Sequence, residues 1–460
     1  MLKPRSNRWI YWSAVLVVFP FHLVMGQTAT LNFTLDDCLK YGFENQAMVL
    51  NAHLDREAAV ALIGETRADG LPQINGDVEY SNYFNIQDAF LPKVIFDPGA
   101  PLDEFIAVPF SQKYNGMASI RASQMIFDGS FFVGLKAART FKELTEKGYL
   151  KSRQDAAELI TKAYYTVLVA QVALDLIDNN YDRLDTLLTE TSLMYENGFA
   201  EKIDVNRVQV EFNNTKTLRS TAQRSLEQTY NILKFQMGMP LSQDIQLSES
   251  IEDITFEVLD YNLLSFNYHV RVEVGQLEIS RTLAELDLKN NKAKYLPTID
   301  AFATLGANTA SNNRGEITNF DDGWLDYGFF GLRLNMPIFE GLRKSYLVQQ
   351  SRIQLAQMDN EMRYLKYSID LEQAQASRDF DNSLENLRIQ EQNMKLAQEV
   401  FEVTSIKYKE GIGSNLEVVD ADTSFKDAQN NYFNALYEVL IAKVDMEKAL
   451  GILHTYTLEK

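Results

Sequence analysis

The sequence predicts an exported α+β membrane protein built from two copies of one unit, each running helix, strand, strand, long helix, long helix. Three observations carry that prediction: an export signal at the N-terminus, an internal repeat, and segments whose hydrophobic period switches from 3.6 to 2 and back. Composition sets the bounds. Of 460 residues, 46% are hydrophobic and 23% charged, close to ordinary folded chains and far from disordered ones. A mean hydropathy of -0.23 excludes a bundle of membrane-spanning helices. Only 22 Gly and 10 Pro punctuate the chain, which favours long helices. The net charge of -19 excludes a nucleic-acid partner. One cysteine, Cys38, and four scattered histidines leave no intrachain disulfide and no metal-ligand spacing.

Residues 1–26 read as a signal peptide: Lys3, Arg5 and Arg8 precede an apolar stretch from Trp9 to Phe21, and Val24-Met25-Gly26 offers a cleavage site. The alternative is a single membrane anchor, but Ser13, Pro20 and His22 interrupt a run that is already short. In an exported chain a lone thiol is best explained as a small buried apolar group near the start of a helix.

The remainder divides into residues 27–250 and 251–460. Tyr195-Glu196-Asn197-Gly198 recurs as Tyr408-Lys409-Glu410-Gly411; Ile203-Asp204-Val205 matches Leu416-Glu417-Val418; Met237-Gly238 matches Leu450-Gly451. Ile126-Phe127-Asp128-Gly129 matches Ile338-Phe339-Glu340-Gly341, and Leu71-Pro72 matches Leu296-Pro297. Matches in one order at nearly constant offset mean a duplicated unit of roughly 215 residues.

Thr34 with Asp37 three residues on forms an N-cap, and the helix it opens should run to about Ala68 before Gly70 and Pro72 stop it. Period two follows: Ile74, Gly76, Val78 and Tyr80 oppose Asn75, Asp77 and Glu79. A Pro-rich loop intervenes, and alternation resumes from Tyr114 to Phe127, where Ala118, Ile120 and Ala122 oppose Ser119, Arg121 and Ser123. In the second copy Ile299, Ala301, Ala303 and Leu305 oppose Asp300 and Thr304, and Phe330 to Ile338 opposes Arg333 and Asn335. Such strands suit either a half-buried soluble sheet or a transmembrane β-barrel. Export and the aromatics near strand ends (Tyr80, Tyr83, Phe84, Trp324, Tyr327, Phe329) favour the barrel.

Proline-free helices are expected over about 131–195 and 342–408, rods of roughly 100 Å. Two adjacent coiled-coil seams on the first, one through Ile160, Tyr164, Val167 and Leu174 and one through Ala163, Ala170 and Ile177, let it touch neighbours on both sides, as in a cylinder wall or an ordinary bundle. Helices over about 203–237 and 415–450 follow each rod. Four strands cannot close a barrel, since about eight are the minimum. The chain must therefore share its strands with copies of itself, two giving eight or three giving twelve.

The signal peptide, the duplicated unit, the Phe-Asp/Glu-Gly strand exits, the Tyr-x-x-Gly turns and the closing Ala449-Leu450-Gly451 together resemble the TolC family of outer-membrane efflux proteins. The resemblance implies a homotrimer whose twelve-stranded barrel crosses outer-membrane lipid and continues into a periplasmic α-helical barrel. It implies an exit duct that docks on a periplasmic adaptor and an inner-membrane transporter, exporting drugs, metals or small toxic molecules; a type I protein secretion duct is the alternative. It also places Tyr195, Gly198, Tyr408 and Gly411 at adaptor-docking turns, and Glu417, Asp420 and Asp204 at the constricted tip. Some members carry a basic residue two places after the second turn glycine; here that place is Gly413.

Independently of any family, Glu417 and Asp420 share one helix face at i, i+3, and a ring of such carboxylates would favour cations. The alternative is two acids on an ordinary surface helix. Arg121 and Arg333 lie on the polar faces of their strands and are expected in the barrel lumen, since the lipid midplane would cost an arginine about 2–4 kcal/mol. No phosphate loop, His-Glu-x-x-His helix or Gly-x-Ser-x-Gly elbow is present, so no enzyme, cofactor or metal is implied. Asp321-Asp322 and Asp420-Ala421-Asp422 are carboxylate pairs without a third ligand. An exported coiled-coil scaffold would explain the helices but not the alternating strands.

Overall fold

The computed structural model describes residues 31–251, 254, 266–319 and 323–453. The signal segment, Asp321-Asp322 and His454 lie outside the described residues, and so does most of the stretch just after the 250/251 boundary. The first copy comprises β1 (Leu31–Phe33), α1 (Leu35–Asn45), α2 (Ala47–Ala68), β2 (Gln73–Asn82), β3 (Asp88–Pro92), β4 (Phe105–Pro109), β5 (Tyr114–Phe127), α3 (Gly129–Glu196) and α4 (Lys202–Met237). It closes with β6 (Ile245–Leu247), and the second copy comprises α5 (Val272–Ala293), β7 (Thr298–Ser311), the single-turn α6 (Arg314–Ile317), β8 (Leu325–Asn335), α7 (Arg343–Lys409) and α8 (Asn415–Ala449).

Local chemistry sets these boundaries. Thr34 and Asp37 form a reciprocal capping box at α1. The expected single helix to Ala68 is instead broken at Gln46, whose extended backbone separates α1 from α2. The break accommodates the end of α4: a Cβ at Gly238 would lie 2.6 Å from the Asn45 carbonyl oxygen, so only glycine permits that approach. Its repeat partner Gly451 closes α8 against Val270 in the same way, with a Cβ placed 3.0 Å from the Val270 side chain. The duplicated Met/Leu-Gly pairs thus mark where each lower helix ends beneath an upper one. β8 stops at Asn335 rather than reaching Ile338, because Pro337 has no N–H and restricts the residue before it. The Pro-rich loop contains the β3–β4 hairpin, which alternation had not marked.

At 1.5 Å per residue, the 68-residue α3 and the 67-residue α7 are each about 100 Å long. α4 folds back along the lower part of α3 and α8 along α7, while α2 and α5 flank the upper parts. Mid-length, an apolar core joins these helices through Ile160, Tyr164, Leu233, Phe380 and Leu440, beside the buried Cys38. A second, smaller cluster lies near the two turns, built from Leu184, Val208, Phe401, Val418 and Phe425.

The four long strands form one antiparallel sheet in the order β2-β5-β7-β8. Its register puts every alternation in phase. One face carries Ile74, Val78, Ile120, Leu305, Phe330 and Leu332; the other carries Asn75, Asp77, Ser119, Arg121, Thr304 and Arg333. The apolar face is bare, with Val78 at 86%, Leu305 at 70% and Phe330 at 89% exposure. A soluble half-buried sheet would cover that face; among the described residues only the single-turn α6 touches it, where Ile317 lies against Gly116 near one end of the strands. The register also corrects one expectation: Tyr327 and Phe329 share the polar face with Arg121, so they cannot belong to a lipid-facing aromatic belt. Tyr80 stacks on Tyr114 at 6.4 Å on the apolar face, and Trp324 lies over Gly116 there, as such a belt requires.

Candidate functional site: the hairpin tip and the polar sheet face

Both turns are built identically. Gly198 and Gly411 adopt φ of +79° and +75°, a left-handed backbone that costs other residues about 1–2 kcal/mol. In each, the glycine N–H donates to the tyrosine carbonyl three residues back at 3.0 Å, and the next residue bonds one place further back. The tyrosines differ. Tyr195 is half exposed, whereas Tyr408 is buried in the tip cluster, its hydroxyl without a hydrogen-bond partner among the described residues. Gly413 has a spatial reason: a Cβ there would lie 3.1 Å from both the Lys407 Cβ and the Tyr408 nitrogen. A long basic side chain does not fit that turn unless its backbone shifts.

α8 starts at Ser414, whose hydroxyl accepts from the Glu417 N–H at 3.3 Å. Glu417 and Asp420 are both exposed on the opening turns of that helix, where the dipole favours negative charge. Asp204 sits differently. Its carboxylate accepts from the Glu201 N–H at 3.1 Å in a capping box and pairs with Arg207 at 3.3 Å, so its charge is already committed. Ile203, Ile412 and Leu416 stand exposed around these acids.

Just above the turns lies a cluster that sequence spacing did not reveal. Asp422, 1% exposed, pairs with Arg183 of α3 at 2.9 Å and with Lys426 at 2.7 Å. Lys426 in turn reaches Glu211 of α4 at 3.4 Å. The Arg183 guanidinium packs on Phe401 of α7 at 4.4 Å and on Phe425 of α8 at 5.2 Å. All four lower helices therefore meet at one buried charge network, and Lys409 to Glu190 at 2.9 Å adds a tie between α7 and α3. The only hint in the chain was the i, i+4 pair Asp422 and Lys426; Arg183 is 239 residues from its partner. With both oxygens engaged, Asp422 is not available to a metal alongside Asp420.

On the sheet, Arg121 and Arg333 lie on the same polar face. Arg121 Nε donates to the Thr304 hydroxyl at 3.5 Å, and Arg333 lies 5.2 Å over the Phe302 ring.

A bare apolar sheet face, two free sheet edges and 100 Å helical hairpins define the class: a subunit of a membrane-spanning β-barrel that continues as a helical conduit. Residues 43–239 and 271–452 match the outer membrane efflux protein family, and the chain belongs to it. The outer membrane protein TolC of Vibrio cholerae is 25% identical over 434 residues, covering 89% of each chain. The proteases secretion protein PrtF of Dickeya chrysanthemi is 20% identical over 353 residues, covering 74% of this chain and 73% of that one. Among solved structures, CusC superposes with a TM-score of 0.71 at 15% identity, covering 96% of this chain and 98% of that one. The two match segments follow the two repeats, and the fold is that of the outer-membrane efflux channels.

Proposed function

We propose that three copies of this chain form the outer-membrane exit duct of a tripartite efflux pump. The observation that carries it is the four-stranded sheet with a bare apolar face and free edges at β2 and β8, running directly into α3 and α7. In lipid each unpaired backbone group costs several kcal/mol, so the edges must be paired. Because the sheet has four antiparallel strands, β8 of one copy meets β2 of the next in antiparallel sense, and three copies give twelve strands. The helical hairpins then line one wall, with Arg121 and Arg333 in the lumen and Glu417 and Asp420 about the narrow end. The turns at Gly198 and Gly411 face a periplasmic adaptor. Tyr195 offers an accessible ring there, and Tyr408, turned inward, holds the turn that presents Ile412 and Leu416. The pump supplies energy and cargo choice; the duct supplies passage.

Single-channel conductance of the detergent-purified protein in a planar bilayer, with an oligomer mass on the same sample, tests this. Discrete openings from a trimer are expected. A monomer with no conductance overturns the reading. The likeness to PrtF favours a second reading, protein secretion through the same duct. Co-purification distinguishes the two: a proton-driven or metal-exporting transporter supports efflux, an ATP-driven protein exporter supports secretion.

A further inference from the structure

The β3–β4 hairpin is unexplained by the duct. Its strands pair in register from Asp88 opposite Pro109 to Pro92 opposite Phe105, and Lys93 pairs with Glu104 at 2.7 Å where the loop begins. It leaves the ends of β2 and β5 that point away from the helices, so it stands beyond the outer end of the barrel. It has no substantial packing against any other helix or strand among the described residues. Yet it is strongly apolar: Phe90, Ile95, Phe96, Leu102, Phe105 and Phe110 are all exposed, Leu102 at 81%.

Two physical facts require a cover for this surface. An isolated two-stranded hairpin is marginally stable in water, and so many exposed large apolar side chains on one short hairpin mark an interface. A lipid surface is the poorer occupant. Elements that lie on membranes are rich in Lys and Arg, whereas residues 88–110 hold Asp88, Asp97, Asp103 and Glu104 against Lys93 alone, which Glu104 already neutralises. A second copy is the better one. The hairpin rises from β2, a free edge of the sheet, which by the closure requirement is the seam with the adjoining copy.

We propose that the β3–β4 hairpins of adjoining copies pack their exposed phenylalanines on one another above the outer mouth of the barrel, forming a lid that narrows the duct from outside. This rests on the trimeric duct proposed above. Its role is exclusion of bulky solutes from the exterior while cargo passes outward.

The test uses the full-length protein with single substitutions Phe90→Cys, Phe96→Cys and Phe105→Cys, oxidised by air with copper–phenanthroline. Cys38 will not interfere, because burial places its side chain out of reach and pushes its thiol up to about 12. Covalent dimers from at least one variant, on a sample whose mass is trimeric, are expected. In parallel, replacing residues 88–109 by a short Gly-Ser loop should raise single-channel conductance at least twofold. A trimer with no cross-link in any variant and unchanged conductance overturns the lid while leaving the duct intact. Labelling of the same cysteines by a lipid-borne photoreactive probe, in place of cross-linking, also overturns it and assigns the hairpin to the membrane surface. A monomeric mass overturns both readings together.

Discussion

Asp422 is buried at the meeting of four helices with two cations on it, and that arrangement has a calculable consequence. Removing one member of a buried ion cluster leaves the others uncompensated, at about 3–5 kcal/mol when fully buried and less where a partner reaches solvent, as Arg183 does. Asp422→Ala should therefore destabilise the tip by about 2–3 kcal/mol. Hydrogen exchange should report it as faster exchange along the lower parts of α3 and α8, with the strands unaffected; uniform exchange would assign the cluster no special hold. Two carboxylates higher in the bundle set opposite pH limits. Burial pushes Glu447 above its ordinary 4.5, so its contribution is full below that value and is lost as pH rises through the raised one. Glu447→Gln should thus raise the unfolding temperature at pH 8 and change little at pH 4. Glu158 is also opposed by burial, but Lys448 and Lys162 outweigh it and hold its carboxyl below 4.5. Its contribution is present above that pH and lost as pH falls through the lowered value, so Glu158→Gln should destabilise at neutral pH and lose its effect in acid.

At the scale of elements, alternation made the strands readable, because a period of two assigns each side chain to a face regardless of what packs there. Arg121 against Ile120, and Arg333 against Phe330, could be placed from spacing alone, and the register keeps them apart across all four strands. Cysteines at Arg121 and Arg333 should react with a charged, water-soluble thiol reagent in intact membranes, while cysteines at Val78 and Phe330 should not. Reaction at all four would return the sheet to water. Helix ends were readable for the same local reason, through Thr34, Gly198 and Gly411. What sequence did not disclose depends on contact at long range. The break at Gln46 exists because Gly238 arrives there, and the Arg183–Asp422 pair because two hairpins lie side by side. The β3–β4 hairpin escaped notice because prolines and acids interrupt its pattern, and Tyr327 and Phe329 were misplaced because aromatics occupy both faces near a strand end.

At the scale of the whole molecule, the threefold closure proposed above would turn modest local charges into a single field. Each copy exposes Glu417 and Asp420 on one face at the start of α8. In the proposed trimer, three copies would bring six carboxylates to one ring, and a ring of carboxylates in a narrow pore concentrates cations and excludes anions. Asp204 adds little to it, since Arg207 and the helix cap already hold its charge. The two sites therefore separate by measurement. The double variant Glu417→Gln, Asp420→Asn should lower the cation-to-anion permeability ratio in planar bilayers by about threefold or more, an effect that shrinks as salt rises and screens the ring. Asp204→Asn should leave that ratio nearly unchanged but weaken α4, whose first turn it caps, by about 1 kcal/mol. If the double variant keeps the original ratio, the reading that Glu417 and Asp420 line the narrow tip is overturned, and both acids stand on the outer wall of the hairpins.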